Sequence, residues 1–246
     1  MTYDTSDPRR PIIDTIEAIV ANVRGWSPAD QLCTLFQLVY ASNDLRGDVV
    51  EIGAWCGRAS VVMGIAARMI GATRVHSIDL FPRSADWVQN ADGTYSMQVA
   101  INESVYDAFR QQTVWAEPYT RDIVPVYAEE QDLLQIFSNN VSRYKLSDVV
   151  VPFRGTAEMF AESVGEEFRA KLVFVDGDHG YEAVSRDIAV AERFLVPGGW
   201  FCFDDAFSSY DGVTQAVEEH IIRSGRYDMC QQMTRKLFVA RKKAHH

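Results

Sequence analysis

Two hydrophobic patterns alternate along the chain, and together they predict a layered α/β protein. Short continuous apolar runs bounded by turn residues are typical of strands buried on both faces of a parallel sheet. Between these runs, apolar residues recur every three or four positions, as on one face of a helix. The runs interpreted as strands are 49–52, 74–80, 149–153, 172–175 and 200–203. This order of strand and helix predicts a doubly wound sheet.

The two ends of the chain predict additions to this sheet. Residues 11–43 carry apolar positions at helical spacing, interrupted around Ser27 and Pro28, so we expect two helices there. Ser27 is the predicted N-cap of the second helix, with Pro28 at its first position. Near the other end, 227–229 and 236–240 predict a hairpin that forms an antiparallel edge of the sheet.

Residues 81–137 interrupt the alternation with nine acids against three arginines, and the segment is too long for a simple crossover. We therefore predict an insertion with a helix near Ser96 to Gln111, acting as a lid or a subunit contact. The alternative is a surface excursion whose aromatic residues pack on one another. One domain, 1–246, is expected, with a helical cover at 11–45, a core at 46–80 and 133–240, and the insertion at 81–132.

The composition and net charge of the chain indicate which kinds of molecule it binds. The chain has 246 residues and 47% hydrophobic content, which is enough to bury one full core. Its formal charge of −10 argues against nucleic acid or an anionic membrane as the main partner. No apolar run approaches the roughly 20 residues that span a bilayer, and the polar opening lacks the apolar core of a signal peptide. We expect a cytoplasmic protein that acts on a small molecule.

The first strand leads into a glycine-bearing turn, Glu51-Ile52-Gly53-Ala54-Trp55-Cys56-Gly57-Arg58-Ala59-Ser60. Gly53 and Gly57 let the backbone turn tightly and approach a ligand, while free N–H groups of the following helix face that ligand. The spacing differs from the G-x-G-x-x-G of dinucleotide sites, so NAD is disfavoured. Glu51 suits a cationic amine or a pair of hydroxyls. These features predict a cofactor site.

Acidic residues follow the predicted strands at the edge where ligands bind in open α/β sheets. They are Glu51, Asp79, Asp176, Asp204 and Asp205. Asp79 lies where nucleotide-binding domains place a carboxylate on the ribose hydroxyls, with a solvated loop aspartate as the alternative. Several unpaired carboxylates in one place are costly, and a divalent cation removes that cost. Asp176, Asp204 and Asp205 are hard-oxygen ligands suited to Mg²⁺, with Mn²⁺ or Ca²⁺ as alternatives.

His179 lies three residues beyond Asp176, within reach of a substrate hydroxyl held at such a site. Its ordinary pKa near 6.5 suits removal of a proton at neutral pH, so we interpret it as the general base. A helix-capping histidine or a metal ligand is the alternative. Asp178 is open between coordinating the metal, orienting His179 and capping the helix that starts at Tyr181.

Taken together, these motifs resemble those of the class I S-adenosylmethionine-dependent methyltransferases. The closer resemblance is to metal-dependent O-methyltransferases of natural-product sugars, of the macrocin O-methyltransferase type, with catechol and caffeoyl-CoA O-methyltransferases more distant. The resemblance covers roughly 46–80 and 133–240. It is carried by Glu51-Ile52-Gly53, Gly57, Asp79, Arg154-Gly155-Thr156, Val175-Asp176-Gly177-Asp178-His179, Pro197-Gly198-Gly199 and Asp204-Asp205.

The resemblance implies a Rossmann-like methyltransferase fold, S-adenosylmethionine (SAM) as cofactor and a role for each matching residue. The glycine turn contacts the methionine moiety, Asp79 the ribose, and Gly155-Thr156 the adenine. The predicted cofactor-binding residues are Glu51, Gly53, Ala54, Trp55, Gly57, Ser60, Asp79, Gly155, Thr156 and Asp176. The predicted catalytic residues are His179 and Asp176. The predicted metal ligands are Asp176, Asp204 and Asp205. Catechol-type enzymes instead pair Asp with Asn and use a lysine base, for which no equivalent is evident here.

The predicted function is therefore divalent-metal-assisted O-methylation of a small molecule, a sugar or natural product with vicinal oxygens. Three other interpretations stay open: a metal-independent methyltransferase, a non-catalytic SAM-binding protein, and a hydroxylase-like member of the same fold. A homo-oligomer formed through the N-terminal helices or the insertion is also expected.

Overall fold

A computed structural model of the chain describes residues 11–111 and 113–244. The polar opening considered for a signal peptide lies outside this part. Across these described ranges, no helix combines the length and the hydrophobicity that crossing a bilayer requires.

A seven-stranded sheet forms the centre of the molecule. Its strands are β1 Asp48–Ile52, β2 Val75–Asp79, β6 Val150–Arg154, β7 Ala170–Val175, β8 Leu195–Asp204, β9 Tyr227–Gln232 and β10 Leu237–Lys242. Their spatial order is β6-β2-β1-β7-β8-β10-β9. The first five are parallel, and the β9–β10 hairpin adds the antiparallel edge. The predicted doubly wound sheet with an antiparallel edge is confirmed.

Helices cover both faces of this sheet and divide the core into two layers. They are α1 Ile12–Asn22, α2 Ala29–Ala41, α3 Arg58–Ile70, α4 Ala116–Pro118, α5 Leu133–Arg143, α6 Ala157–Val164, α7 Tyr181–Ala191 and α8 Asp211–Val217. The first three and α5 pack on one face, and α6, α7 and α8 pack on the other. Every residue of β7 is buried, as its continuous apolar run predicts.

Residue types that stabilise helix ends lie at several of the helix boundaries. Thr156 caps α6 by accepting a hydrogen bond from the backbone N–H of Met159, and Gly71 ends α3. The prediction for Ser27 was wrong by one position. The N-cap of α2 is Pro28, and the Ser27 hydroxyl instead lies 3.5 Å from the Asp176 carboxylate. This loop therefore belongs to the wall of the site described below.

The insertion contains a three-stranded antiparallel sheet, so the helix predicted near Ser96 to Gln111 is wrong. Its strands are β3 Trp87–Gln89, β4 Tyr95–Ile101 and β5 Ser104–Ala108. Met97 and Val99 are buried on β4 while Gln98 between them is exposed, which is the two-residue period of a strand. Val99 also pairs with Tyr106 across the short hairpin between β4 and β5, and such cross-strand pairs stabilise the strand conformation.

Candidate active site

A large cavity lies at the carboxyl ends of the parallel strands, where an open α/β sheet binds its ligands. Its volume is about 1390 Å³. Sites for one small molecule occupy ~300–1,000 Å³, so this cavity has room for two ligands side by side. The turn after β1, the α1–α2 loop and the insertion form its walls.

Gly53 joins the turn after β1 to the loop after β7. Its φ is +92°, and a Cβ built on it would lie 2.1 Å from the backbone oxygen of Asp176. Gly57 has φ +85°, and its Cβ would lie 2.9 Å from the ring of Phe137. Both positions therefore require glycine, since a side chain meets both strain and neighbouring atoms. Gly53, Ala54 and Trp55 line the cavity, whereas Gly57 shapes the turn from behind.

Glu51 is buried at the end of β1 and reaches the cavity wall. The Ser60 hydroxyl donates a hydrogen bond to its carboxyl group. Burial raises the pKa of Glu51 to about 8, against the lowering effect of that hydrogen bond. Ser60 itself is fully buried and lies outside the set of cavity-lining residues. It holds Glu51 in place rather than facing the ligand space.

Glu51→Gln should flatten the pH dependence of folding stability. The folded protein binds a proton on Glu51 that the unfolded chain releases above its ordinary pKa of 4.5. Wild-type stability is therefore expected to fall as the pH rises from about 4.5 to about 8, by on the order of a few kcal/mol from this group. Urea unfolding at pH 5 and pH 8 measures the loss, and an equal loss in both proteins would contradict this assignment.

Asp79 ends β2 and lines the cavity. Its two carboxylate oxygens accept hydrogen bonds from the backbone N–H groups of Trp55 and Phe81, at 2.9 and 2.7 Å. Burial raises the pKa of this carboxyl above its ordinary value. Asp79 thus fixes the glycine turn from within the cavity wall. Gly155 and Thr156 line the same cavity beyond β6.

Three predicted residues meet beside the glycine turn, at the ends of β7 and β8. Ligand atoms of Asp176, His179 and Asp204 all lie within 4.8 Å of one another. Asp205 lies beside them, with its Oδ2 3.8 Å from the Nε2 of His179. The predicted metal set of Asp176, Asp204 and Asp205 is therefore brought to one place, but the closest group of three contains His179 in place of Asp205.

Lys236 and Gln31, which the sequence analysis did not single out, partner this cluster. The Nζ of Lys236 lies 3.1 Å from Asp204 Oδ2 and 3.2 Å from Asp205 Oδ2. The buried amide of Gln31 donates to Asp204 Oδ1 at 2.7 Å. The pairing of β10 with β8 places Leu237 opposite Asp204, and this register brings Lys236 to the cluster.

The pKa values of the three carboxyl groups are shifted in different directions. Burial and the neighbouring charge of Asp204 raise the pKa of Asp176 well above its ordinary value, and the same two causes raise the pKa of Asp205. For Asp204, burial is outweighed by its partners His179, Lys236 and Gln31, so its pKa is lowered. The surroundings therefore favour the ionised form of Asp204 and disfavour the ionised forms of Asp176 and Asp205.

His179 stacks on the ring of Tyr210, with centroids 4.5 Å apart. Its Nε2 is buried, faces Asp204 and Asp205 at 3.8 Å from each, and has no hydrogen-bond partner among the described residues. The Oε1 of Gln31 is likewise unpartnered within that part of the chain. Buried polar atoms without partners next to three carboxylates fit a site that holds a hard cation or a ligand hydroxyl.

Asp178 ties the insertion to this loop. One carboxylate oxygen accepts from the backbone N–H of Gly180, and the other accepts from that of Phe109 in the insertion, both at 2.8 Å. Gly180 is itself the N-cap of α7 and no side chain caps this helix, so the geometry does not supply the capping role left open for Asp178. It supplies instead a contact with the insertion that the sequence did not reveal. The insertion is therefore fixed against the Asp176–His179 loop.

The α1–α2 loop closes the cavity from the other side. Arg58 at the start of α3 donates to the backbone oxygens of Val23 and Ser27, at 2.7 and 3.2 Å. This holds Trp26 against Trp55, with ring centroids 5.4 Å apart. Asp122 of the insertion lines the same cavity as Trp26. The α1–α2 loop and the insertion thus both border the ligand space.

The family model described as a methyltransferase domain matches residues 50–206, which include the glycine turn and every acid of the site. The chain belongs to this methyltransferase family. The class I resemblance stated from the sequence is thereby confirmed at the level of the family, and the match begins within β1 and ends after β8.

Three solved structures with a similar fold are distant in sequence from this methyltransferase. The O-methyltransferase NovP is 19% identical with a TM-score of 0.64, over 89% of this chain and 83% of that chain. An O-methyltransferase from Bacillus cereus, in complex with SAH, is 15% identical with a TM-score of 0.57, over 98% and 94%. TomG from Streptomyces achromogenes, an O-methyltransferase of tomaymycin synthesis in complex with SAM, is 13% identical with a TM-score of 0.54, over 96% and 91%.

The methyltransferase also carries a polar residue in the cavity that the sequence did not indicate. Asp187, on α7, lines the ligand space near Gly177, and burial raises its pKa to about 8. A single acid on an amphipathic helix gives no sequence signal for this role, because its ordinary place is the solvated face.

Proposed function

We propose that this methyltransferase is a SAM-dependent, divalent-metal-assisted O-methyltransferase. Its acceptor is a small molecule, a sugar or natural product with a hydroxyl beside a second oxygen. The observation that carries the proposal is the contact of the Gly53 turn with the backbone of Asp176, which joins a cofactor cradle to a buried acidic cluster in one cavity. A methyl donor and a bound acceptor would lie next to each other there.

The cradle suits SAM by charge and by shape. SAM carries a sulfonium and an ammonium group, and Glu51, Asp79 and Asp176 surround the place where they would lie. The solved neighbours from Bacillus cereus and Streptomyces achromogenes hold SAH and SAM, which supports the same cofactor here. We propose that Gly53, Ala54 and Trp55 contact the methionine moiety and that Gly155 and Thr156 border the adenine.

The acidic cluster suits Mg²⁺, with Mn²⁺ or Ca²⁺ as alternatives. Asp176, Asp204 and Asp205 would hold the ion. When bound, such an ion orients two acceptor oxygens and lowers the pKa of the hydroxyl. The unpartnered Nε2 of His179 and Oε1 of Gln31 support a further polar group at this place.

Different residues of the chain have different roles in the proposed methyl transfer. His179 removes the proton of the acceptor hydroxyl at Nε2, while its stacking on Tyr210 fixes the plane of the ring. Trp26, Trp55 and the insertion exclude water and hold the acceptor oxygen in line with the methyl carbon. In this proposal residues 81–132 act as the lid. A homo-oligomer and a cytoplasmic location stay predictions.

The proposal is tested by calorimetric titration of SAM and of Mg²⁺ into wild type and Asp204→Ala. We expect the variant to keep SAM affinity and to lose Mg²⁺ binding, because the surroundings of Asp204 favour its ionised form at the centre of the cluster. Asp228→Ala is the matched control, since Asp228 is an exposed aspartate paired with Arg241 on β10. SAM binding without Mg²⁺ binding in wild type would leave a metal-independent methyltransferase with His179 as base.

A further inference from the structure

Lys236 lies against the oxygens that a metal ion would need. Its ammonium group bridges the Oδ2 atoms of Asp204 and Asp205, at 3.1 and 3.2 Å. The Nε2 of His179 faces the same two oxygens at 3.8 Å. The side chain of Lys236 is 14% exposed and those of the two aspartates are 4% and 9% exposed, so the pair contacts are shielded from water. Such partly buried ion pairs are stronger than surface pairs.

The net charge of these groups balances that of one divalent cation. Asp176, Asp204 and Asp205 carry three negative charges when ionised, and Lys236 carries one positive charge. One divalent cation therefore brings the group to neutrality. A metal ion bound by these two carboxylates would also lie close to the ammonium group of Lys236. Two cations at so short a distance repel each other, so the lysine side chain must move.

The surroundings of Lys236 allow that movement. Its backbone oxygen is fixed by the N–H of Asp205 at 2.7 Å, so the start of β10 stays in place. The side chain lines the open cavity beside the exposed Arg235. Its flexible four-carbon stem can turn the ammonium group into the cavity without a change in the sheet.

We propose that Lys236 is an internal counter-cation of the acidic cluster, which a divalent ion must displace from Asp204 and Asp205. This inference rests on the proposed metal-assisted function. Lys236 thereby sets the affinity of the site: it offsets one negative charge of the acids before the ion binds and weakens binding of the ion. It is a positioning residue for the cluster.

The first test is calorimetric titration of Mg²⁺ into wild type, Lys236→Met and Arg235→Met. Lys236→Met should bind Mg²⁺ roughly tenfold more tightly, since the competing positive charge is gone. Arg235→Met removes the same charge one residue away, from an exposed side chain, and should bind as wild type does. Equal or weaker binding by Lys236→Met overturns the proposal.

A second test needs no variant and so stays valid if Lys236→Met does not fold. Wild-type protein is treated briefly with an amine-acylating reagent with and without Mg²⁺, and modified lysines are counted by mass spectrometry. Acylation of Lys236 should rise several-fold with Mg²⁺, because the displaced ammonium group faces the cavity, while the exposed Lys145 serves as the internal reference. Unchanged labelling of Lys236 under saturating Mg²⁺ overturns the displacement.

The two proposals fail differently in these experiments. If wild type and Lys236→Met both bind no divalent ion, the metal-assisted function fails and the inference fails with it. If both bind Mg²⁺ with one affinity and Lys236 labelling is constant, the metal site stands and only the role of Lys236 is overturned.

Discussion

Gly53→Ala is expected to abolish cofactor binding and to destabilise the fold by about 3–5 kcal/mol. The new Cβ would lie 2.1 Å from the Asp176 backbone oxygen, and the φ of +92° is unfavourable for any L-residue. Backbone on both sides must move, and this displaces the glycine turn and the acidic loop together. We expect at least a hundredfold loss of SAM affinity by calorimetry and a lower unfolding midpoint in urea.

Gly93→Ala separates backbone strain from the clash. Gly93 has φ +84°, and a Cβ there would meet no atom of the described residues within 4 Å. It should lose only about 1–2 kcal/mol, the ordinary cost of a left-handed alanine, and keep its SAM affinity. Equal losses of stability in the two variants would show that the contact between the turn and the Asp176 loop is unimportant.

His179→Ala should lower the turnover number by about 10²–10⁴-fold with little effect on SAM affinity. The imidazole Nε2 lies 3.8 Å from Asp204, the ring stacks on Tyr210, and in the proposed function this nitrogen takes the proton of the acceptor hydroxyl. Its loss removes the proton acceptor but leaves the cradle and the three aspartates intact. Methyl transfer to a vicinal-diol acceptor measures the turnover, and calorimetry measures SAM and Mg²⁺ binding.

Mg²⁺ affinity distinguishes the two roles of this histidine. A base leaves metal affinity close to that of wild type, whereas a metal ligand lowers it together with turnover. The geometry makes this test necessary, because His179 joins Asp176 and Asp204 within 4.8 Å. A large drop in Mg²⁺ affinity in His179→Ala would contradict the assignment of the base and make His179 a ligand.

Sequence signals were sufficient for the strands of the central sheet. The apolar run of β7 is a local feature, and it forms a buried strand as the sequence predicts. The prediction for the insertion was wrong although its signal is also local. Apolar residues alternate along β4 with the two-residue period of a strand, and β4 pairs with β5 across a short hairpin.

In the candidate site, the sequence predicts some of the residues that meet but not the residues that contact them. Glu51, Asp79, Asp176 and Asp204 could be placed together from sequence, because parallel strands end at one edge of a sheet. Their partners could not. Gln31 comes from a covering helix, and Phe109 comes from the insertion. Helix packing and loop docking are not encoded in any local spacing.

The sequence by itself determined the order of strands and helices in the central sheet, the glycine turn and the line of acids along one rim, since each follows from local periodicity and from the right-handed crossovers of parallel strands. Only the tertiary structure decided which groups partner those acids. The antiparallel register of β10 on β8 brings Lys236 to Asp204 across 32 residues of chain. Such a contact exists only when the two strands pair, because strand pairing, and not sequence distance, sets which charges meet.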